Sequence, residues 1–253
     1  MIENLDQNQI IFIVTIMAAS AVVVGFMAGF FGIGGGLIMV PILFHIFDFA
    51  SIKYEFIMHV AIGTSFAIII PTSIISIMTH MKFKAVDFTI VKSFGVFVVI
   101  GVMLGTIFAV NLKTSSLVLF FSIMTMLFAI YFLMAKEKIN PKPRKINLIY
   151  PILKMFGYPI KVAIGTSAAV GFLIALIGTI GFVVSGNYLN INIPLSLGFL
   201  NVPTFLIFVP ITMFMAKIGA KTVHKFDKSL IGKLFGIYLF IISCKLFYEY
   251  FSI

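Results

Sequence analysis

Two kinds of residue in this 253-residue chain have the type and spacing to hold a ligand: clustered glycines and repeated hydroxyls. The string GFFGIGGGLIMVP at residues 29–41 carries five glycines in its first eight positions and then runs into apolar sequence. A phosphate-binding loop of the G-x-x-x-x-G-K-[ST] type needs a lysine after its last glycine, and a dinucleotide fingerprint needs G-x-G-x-x-G after a strand. Neither is present, because Leu37 follows Gly36 and the first lysine is Lys53. Small residues four apart (Ala21, Gly25, Gly29, then Gly32, Gly36) instead let helix backbones approach closely. Three successive glycines, Gly34, Gly35 and Gly36, also interrupt a helix. The segment starting at Leu37 then presents free N–H groups and the positive end of a dipole, which bind an anion without a charged side chain.

The hydroxyls come as a repeat. VAIGTS occurs at residues 60–65 and again, letter for letter, at 162–167, and PIL precedes both copies, at Pro41 and Pro151. Each copy opens an apolar segment. Hydroxyls in such helices commonly bond back to a carbonyl one turn earlier. If an inverted repeat brings both copies to one cavity, Thr64, Ser65, Thr166 and Ser167 become donors to oxyanion oxygens. Asn201 and Pro203, in GFLNVP, interrupt another apolar stretch. An amide is expensive in lipid, so that of Asn201 faces protein or water. Thr72, Ser73 and Ser76 form a weaker polar stripe. His45, His59, His80 and His224 fall near segment ends, where interfacial imidazoles need no special role, and no metal-ligand spacing links them. No catalytic group, metal or cofactor is expected.

The solvent for these groups is lipid. The chain is 61% hydrophobic and 10% charged, with a mean hydropathy of +1.19, against about 45 to 50% and about 25% for a soluble domain. Stretches of about 20 apolar residues, enough to cross about 30 Å of hydrocarbon, recur along its length. The reading is an all-α polytopic membrane protein of about eight segments, at residues 10–31, 37–49, 57–78, 89–110, 117–134, 162–184, 194–216 and 232–251, the second short and preceded by the glycine-rich turn. The first run is too long for a signal peptide and lacks a basic leader, so it is read as retained. The single cysteine, Cys244, leaves no internal disulfide.

The net charge of +10 sits in alternate loops. Lys82, Lys84 and Lys92 flank one, the stretch 135–161 holds a second cluster, and Lys217, Lys221, Lys225, Lys228 and Lys233 a third. That is the positive-inside pattern, which makes the basic loops cytoplasmic and puts both termini outside. It argues against a nucleic-acid partner and for contact with the lipid bilayer. Residues 135–147, AKEKINPKPRKIN, combine charge with two prolines and divide the chain into a first repeat (1–134), a basic linker with a short interfacial stub (135–161) and a shortened second repeat (162–253). On that topology the first VAIGTS helix runs inward and the second outward, so the two repeats are inverted, as in secondary transporters with a midplane site. A further echo links Gly105 through Leu117 with Gly219 through Leu230.

GFMAGFFGIGGGLIMVPIL, then AIGTSFAIIIPTSIISIMTH, AIGTSAAVGFLIALIG and IPLSLGFLNVP, in this order, resemble the sulfite exporter TauE/SafE family of bacterial membrane permeases. The resemblance runs from about Gly25 to the carboxyl terminus. It implies two inverted halves, location in the bacterial cytoplasmic (inner) membrane and transport of a small anion such as sulfite, a sulfonate or a related organic acid. Members usually carry the glycine-rich segment in both halves, whereas here the second half has no GIGGG and no hairpin. Losing a hairpin removes two crossings and preserves the orientation downstream.

All eight carboxylates fall in loops or at segment ends, which weighs against a carboxylate-centred proton antiporter and against an intramembrane enzyme. A non-transporting membrane subunit or scaffold is the stronger competitor to an alternating-access permease. The anion, the direction and any homo-oligomer are left open. On this topology, Lys142→Cys in a Cys244→Ser background should resist a membrane-impermeant thiol reagent in intact cells, and modification there would overturn it.

Overall fold

The computed structural model describes residues 7–32, 35–50, 52–134, 160–189, 193–223 and 228–252. These form eight helices: α1 (Gln7–Phe31), α2 (Gly36–Phe49), α3 (Tyr54–Lys82), α4 (Phe88–Val110), α5 (Thr114–Met134), α6 (Ile160–Tyr188), α7 (Val202–Thr222) and α8 (Lys228–Ser252). A two-stranded hairpin of β1 (Ser196–Leu197) and β2 (Leu200–Asn201) precedes α7. Six helices, α1 and α3 through α7, are long and apolar enough to cross a membrane. The 14 residues of α2 make a shorter apolar helix of about 21 Å, and α8 has 25 residues with Lys233, Lys245 and Glu249 along it. The chain is an all-α polytopic membrane protein.

One expected segment starts elsewhere. Residues 194–201 do not continue the helix expected from 194: they form the hairpin, with a left-handed Gly198 (φ 57°) at its turn. The helix begins only at Val202, after the Asn201 cap and with Pro203 in its first turn, where a missing N–H costs nothing. The linker and stub expected between residues 135 and 159 lie outside the described residues, as do Gly34 and His224.

Helix directions follow from the contacts. On α3 and α6, Gly63 meets Phe182, Phe66 meets Gly178, and His80 meets Gly165, so the two run antiparallel. α1 and α7 run parallel, with Gly25 against Thr212, Gly29 against the Ala216 carbonyl and Gly219 against the Phe26 carbonyl. Backbones this close are what four-residue spacing of small residues permits. α3 and α7 cross at Thr72 and Thr212, whose hydroxyl oxygens lie 2.8 Å apart. Each also reaches a carbonyl of its own helix, Ile68 at 2.8 Å and Val209 at 3.2 Å, near the prolines Pro71 and Pro210 within the same helices.

The bundle therefore has two chemically distinct ends. One gathers the start of α1 and the ends of α2 and α8, through Phe12 against Phe49 and a His45–Glu249 contact of 3.6 Å, together with the start of α5, where the Thr114 hydroxyl donates to the Glu55 carbonyl. The other gathers the ends of α1, α3 and α7 and the start of α6, and it carries the exposed Lys82, Lys84, Lys217 and Lys221.

Glycines at the helix crossings differ sharply in what a methyl would meet. A Cβ on Gly165 would overlap the Ala85 carbonyl, whereas one on Gly101 meets nothing within 4 Å. Gly165→Ala should cost about 1 to 3 kcal/mol, and Gly101→Ala should be neutral or stabilising by up to about 1 kcal/mol. Thermal melts of both variants in detergent should show a lowered midpoint for the first alone.

Candidate functional site

Each VAIGTS motif is one side of a brace to the opposite part of the chain. On α3, Gly63 sits so close to the Phe199 carbonyl that a methyl would come within 2.6 Å of its oxygen, and Thr64 Oγ1 accepts a hydrogen bond from the Asn201 N–H at 2.9 Å. On α6, Gly165 packs on the Ala85 carbonyl, and Thr166 Oγ1 accepts from the Asp87 N–H at 2.9 Å. The glycine creates the room, and the next residue's hydroxyl then satisfies a loop N–H that would otherwise be buried unpaired.

The two partner loops are built alike. Asp87 caps α4 by accepting from the Thr89 N–H at 2.9 Å. Asn201 caps α7, its Oδ1 accepting from the Thr204 N–H at 3.1 Å and from the Thr204 hydroxyl at 2.7 Å. Three residues before each cap the backbone is left-handed, at Lys84 (φ 53°) and Gly198 (φ 57°). The first brace lies towards the end holding the chain termini, the second at the basic end.

These bonds give several sequence candidates a bracing role. Thr64, Thr166 and the Asn201 amide are engaged across or beside the braces, and the Asn201 Nδ2 also donates to the Ser196 hydroxyl at 3.3 Å. The Ser167 hydroxyl donates to the Ile164 carbonyl at 2.8 Å and to the Gly32 carbonyl at 3.1 Å, tying α6 to the end of α1.

The remaining candidates meet at a cavity of about 520 Å³ bounded by α2, α3, α4, α5 and α6. Gly32 (φ 68°) ends α1 and Gly35 (φ 79°) starts α2, both in the left-handed conformation that a side chain disfavours. Chain reversal there points the start of α2 at the middle of α3, with Gly36 facing Ile69. The N–H groups of Ile38 and Met39 turn back to the Gly35 carbonyl at 3.0 and 2.9 Å. Those of Gly36 and Leu37 have no carbonyl within the helix to bond, and both residues line the cavity. Ser65 lines it too; it is 1% exposed and its hydroxyl has no partner among the described residues. The rest of the wall is apolar, including Phe66, Phe108, Phe120 and Phe121, with Gly105 and Gly171 widening it.

The structure thus brings Gly36 and Ser65 together, makes Gly35 the cap that holds them, and directs the other described candidates to the braces. Sequence reasoning missed Asp87, Gly105, Gly171 and the aromatic wall. For Gly105 and Gly171 the available signal was a glycine in a helix interior; in the structure a Cβ there meets nothing within 4 Å.

The model of the sulfite exporter TauE/SafE family matches residues 17–153 and 146–246. The chain belongs to the sulfite exporter TauE/SafE family. Three relatives carry the words "Probable membrane transporter protein" in their names. One from Haemophilus influenzae is 27% identical, over 88% of this chain and 94% of its own length. One from Methanocaldococcus jannaschii is 28% identical, over 80% and 84%, and one from Bacillus subtilis is 25% identical, over 92% and 97%. No solved structure matches the chain. This TauE/SafE member is accordingly a membrane transporter.

Neighbouring glycines at its site separate backbone strain from cavity shape. A Cβ on Gly36 would meet only Ile69 Cδ1, at 3.4 Å, whereas one on Gly35 meets Ala28 and Val24 side chains at 3.1 Å from a left-handed backbone. Gly35→Ala should cost about 1 to 2 kcal/mol of stability, which makes it a poor probe of ligand binding. Gly36→Ala should melt within a degree or so of the wild type, since isolated small changes stay near ±0.5 kcal/mol, while narrowing the cavity.

Proposed function

We propose that the protein is a permease for a small anion such as sulfite, a sulfonate or a related organic acid, working by alternating access between two inverted repeats. The observation that carries this reading is the cavity beside the middle of α3, which is lined by Gly36 and Leu37 at the start of α2 and by Ser65, whose hydroxyl has no partner among the described residues. An oxyanion there accepts hydrogen bonds from all three and lies at the positive end of the α2 dipole. The family's own description as sulfite exporters supports an oxyanion substrate.

The braces supply the gates. Thr64 with Asn201 closes the path towards one face of the bundle and Thr166 with Asp87 closes it towards the other. Transport opens one brace at a time as the parts holding α3 and α6 rock against each other. The basic end faces the cytoplasm and the chain termini face outside, in the plasma membrane.

Flux of sulfite and small sulfonates into vesicles reconstituted with the purified protein tests the reading. A hydrogen bond to a charged partner is worth about 1.5 to 3 kcal/mol, so Ser65→Ala should weaken half-saturation by about tenfold to a hundredfold with an unchanged melting midpoint. Wild-type half-saturation in that variant places the anion elsewhere, and absence of any flux makes the protein a non-transporting subunit.

A further inference from the structure

We infer that this site, if it is the anion site proposed above, accepts singly charged anions and rejects doubly charged ones, so that an acid with two ionisations is carried in its half-protonated form.

The inference rests on what the cavity wall contains. Of its sixteen lining residues Ser65 is the only one with a polar side chain, and none is charged. The favourable groups are two backbone N–H donors at the start of one helix, the partial positive charge there of roughly half a unit, and one hydroxyl. Against them stands desolvation. The cost of moving an ion out of water grows with the square of its charge, whereas its attraction to fixed dipoles grows only in proportion. Doubling the charge therefore raises the cost about fourfold and the gain about twofold. A site with a lysine or an arginine offsets that difference; this one has no cation in its lining, and the other helix end there is the carboxyl end of α4, at Phe108 and Ala109, whose partial charge is negative.

Ser65 is the independent sign that a ligand belongs here. A hydroxyl 1% exposed is costly to leave unpaired in an apolar wall, and of the three buried α3 serines without a partner among the described residues, Ser65, Ser73 and Ser76, it is Ser65 that lines the cavity. One donor of that kind completes the coordination of a single charged oxygen, and the wall opposite it accepts an uncharged group.

Methanesulfonate and methylphosphonate give a test at constant shape. The first carries one charge at all working pH values; the second passes from one charge to two near neutrality. Purified protein is reconstituted into vesicles with the same pH on both sides, and uptake of each labelled anion is followed across the second ionisation of methylphosphonate. Methanesulfonate uptake should stay flat, and methylphosphonate uptake should fall about tenfold for each pH unit above that ionisation, as its singly charged fraction does. Ser65→Ala should lower both where each is singly charged.

Methylphosphonate uptake that holds or rises as the dianion takes over, still reduced by Ser65→Ala, overturns the charge selectivity while leaving the site in place. A parallel fall for both anions assigns the pH dependence to a titrating group of the protein and also overturns it. Uptake of neither, or uptake of both that is indifferent to Ser65→Ala, removes the site reading itself and the inference with it.

Discussion

The pairing of a glycine with a carbonyl at backbone contact, followed at once by a threonine hydroxyl that accepts the next loop N–H, is the constraint on which the rest of this molecule is hung. It occurs at Gly63–Thr64 against residues 199–201 and at Gly165–Thr166 against residues 85–87. Each loop N–H is partly buried against the helix it meets, so the hydroxyl that accepts it fixes where the loop sits, and the loop fixes where α4 and α7 start. The antiparallel contact of α3 and α6 and the cavity beside it follow from those two positions. Because each brace is one hydrogen bond plus close packing, it can break without dismantling the helices it joins, which is the property a gate needs.

The electrostatics of the interior are spare. The described carboxylates and lysines sit towards the two ends of the bundle, and the cavity has only backbone dipoles and one hydroxyl to offer a charge. On the proposed reading such a site binds weakly, and weak binding suits a transporter, which has to release what it takes up. Fixed dipoles also avoid the deep trap that a lysine in hydrocarbon would set for an anion.

Much of the fold was legible in the sequence because hydropathy is a strong signal when the solvent is lipid. The segment limits 10–31, 37–49, 89–110 and 117–134 fall within a few residues of α1, α2, α4 and α5. The glycine turn, too, was readable, since only a break in helix explains three glycines between apolar runs. The start of α7 was not: PLSLGFLN is apolar enough to extend a helix, and only the left-handed Gly198 and the cap at Asn201 forbid it. The site was half legible. A repeated GTS shows that something needs hydroxyls twice, yet whether a threonine faces a ligand or a loop N–H depends on contacts 137 and 79 residues away. Spacing along one helix carries no trace of either.

Ser65 and Ser167 hold the same place in two identical six-residue strings, yet they meet different fates. Ser167 shares its proton between the Ile164 carbonyl at 2.8 Å and the Gly32 carbonyl at 3.1 Å, the latter at the glycine turn that ends α1. The Ser65 hydroxyl has no partner among the described residues, although Ile62 holds the position before it that Ile164 holds before Ser167. The same six letters therefore place one serine in a tie between helices and leave the other lining the cavity.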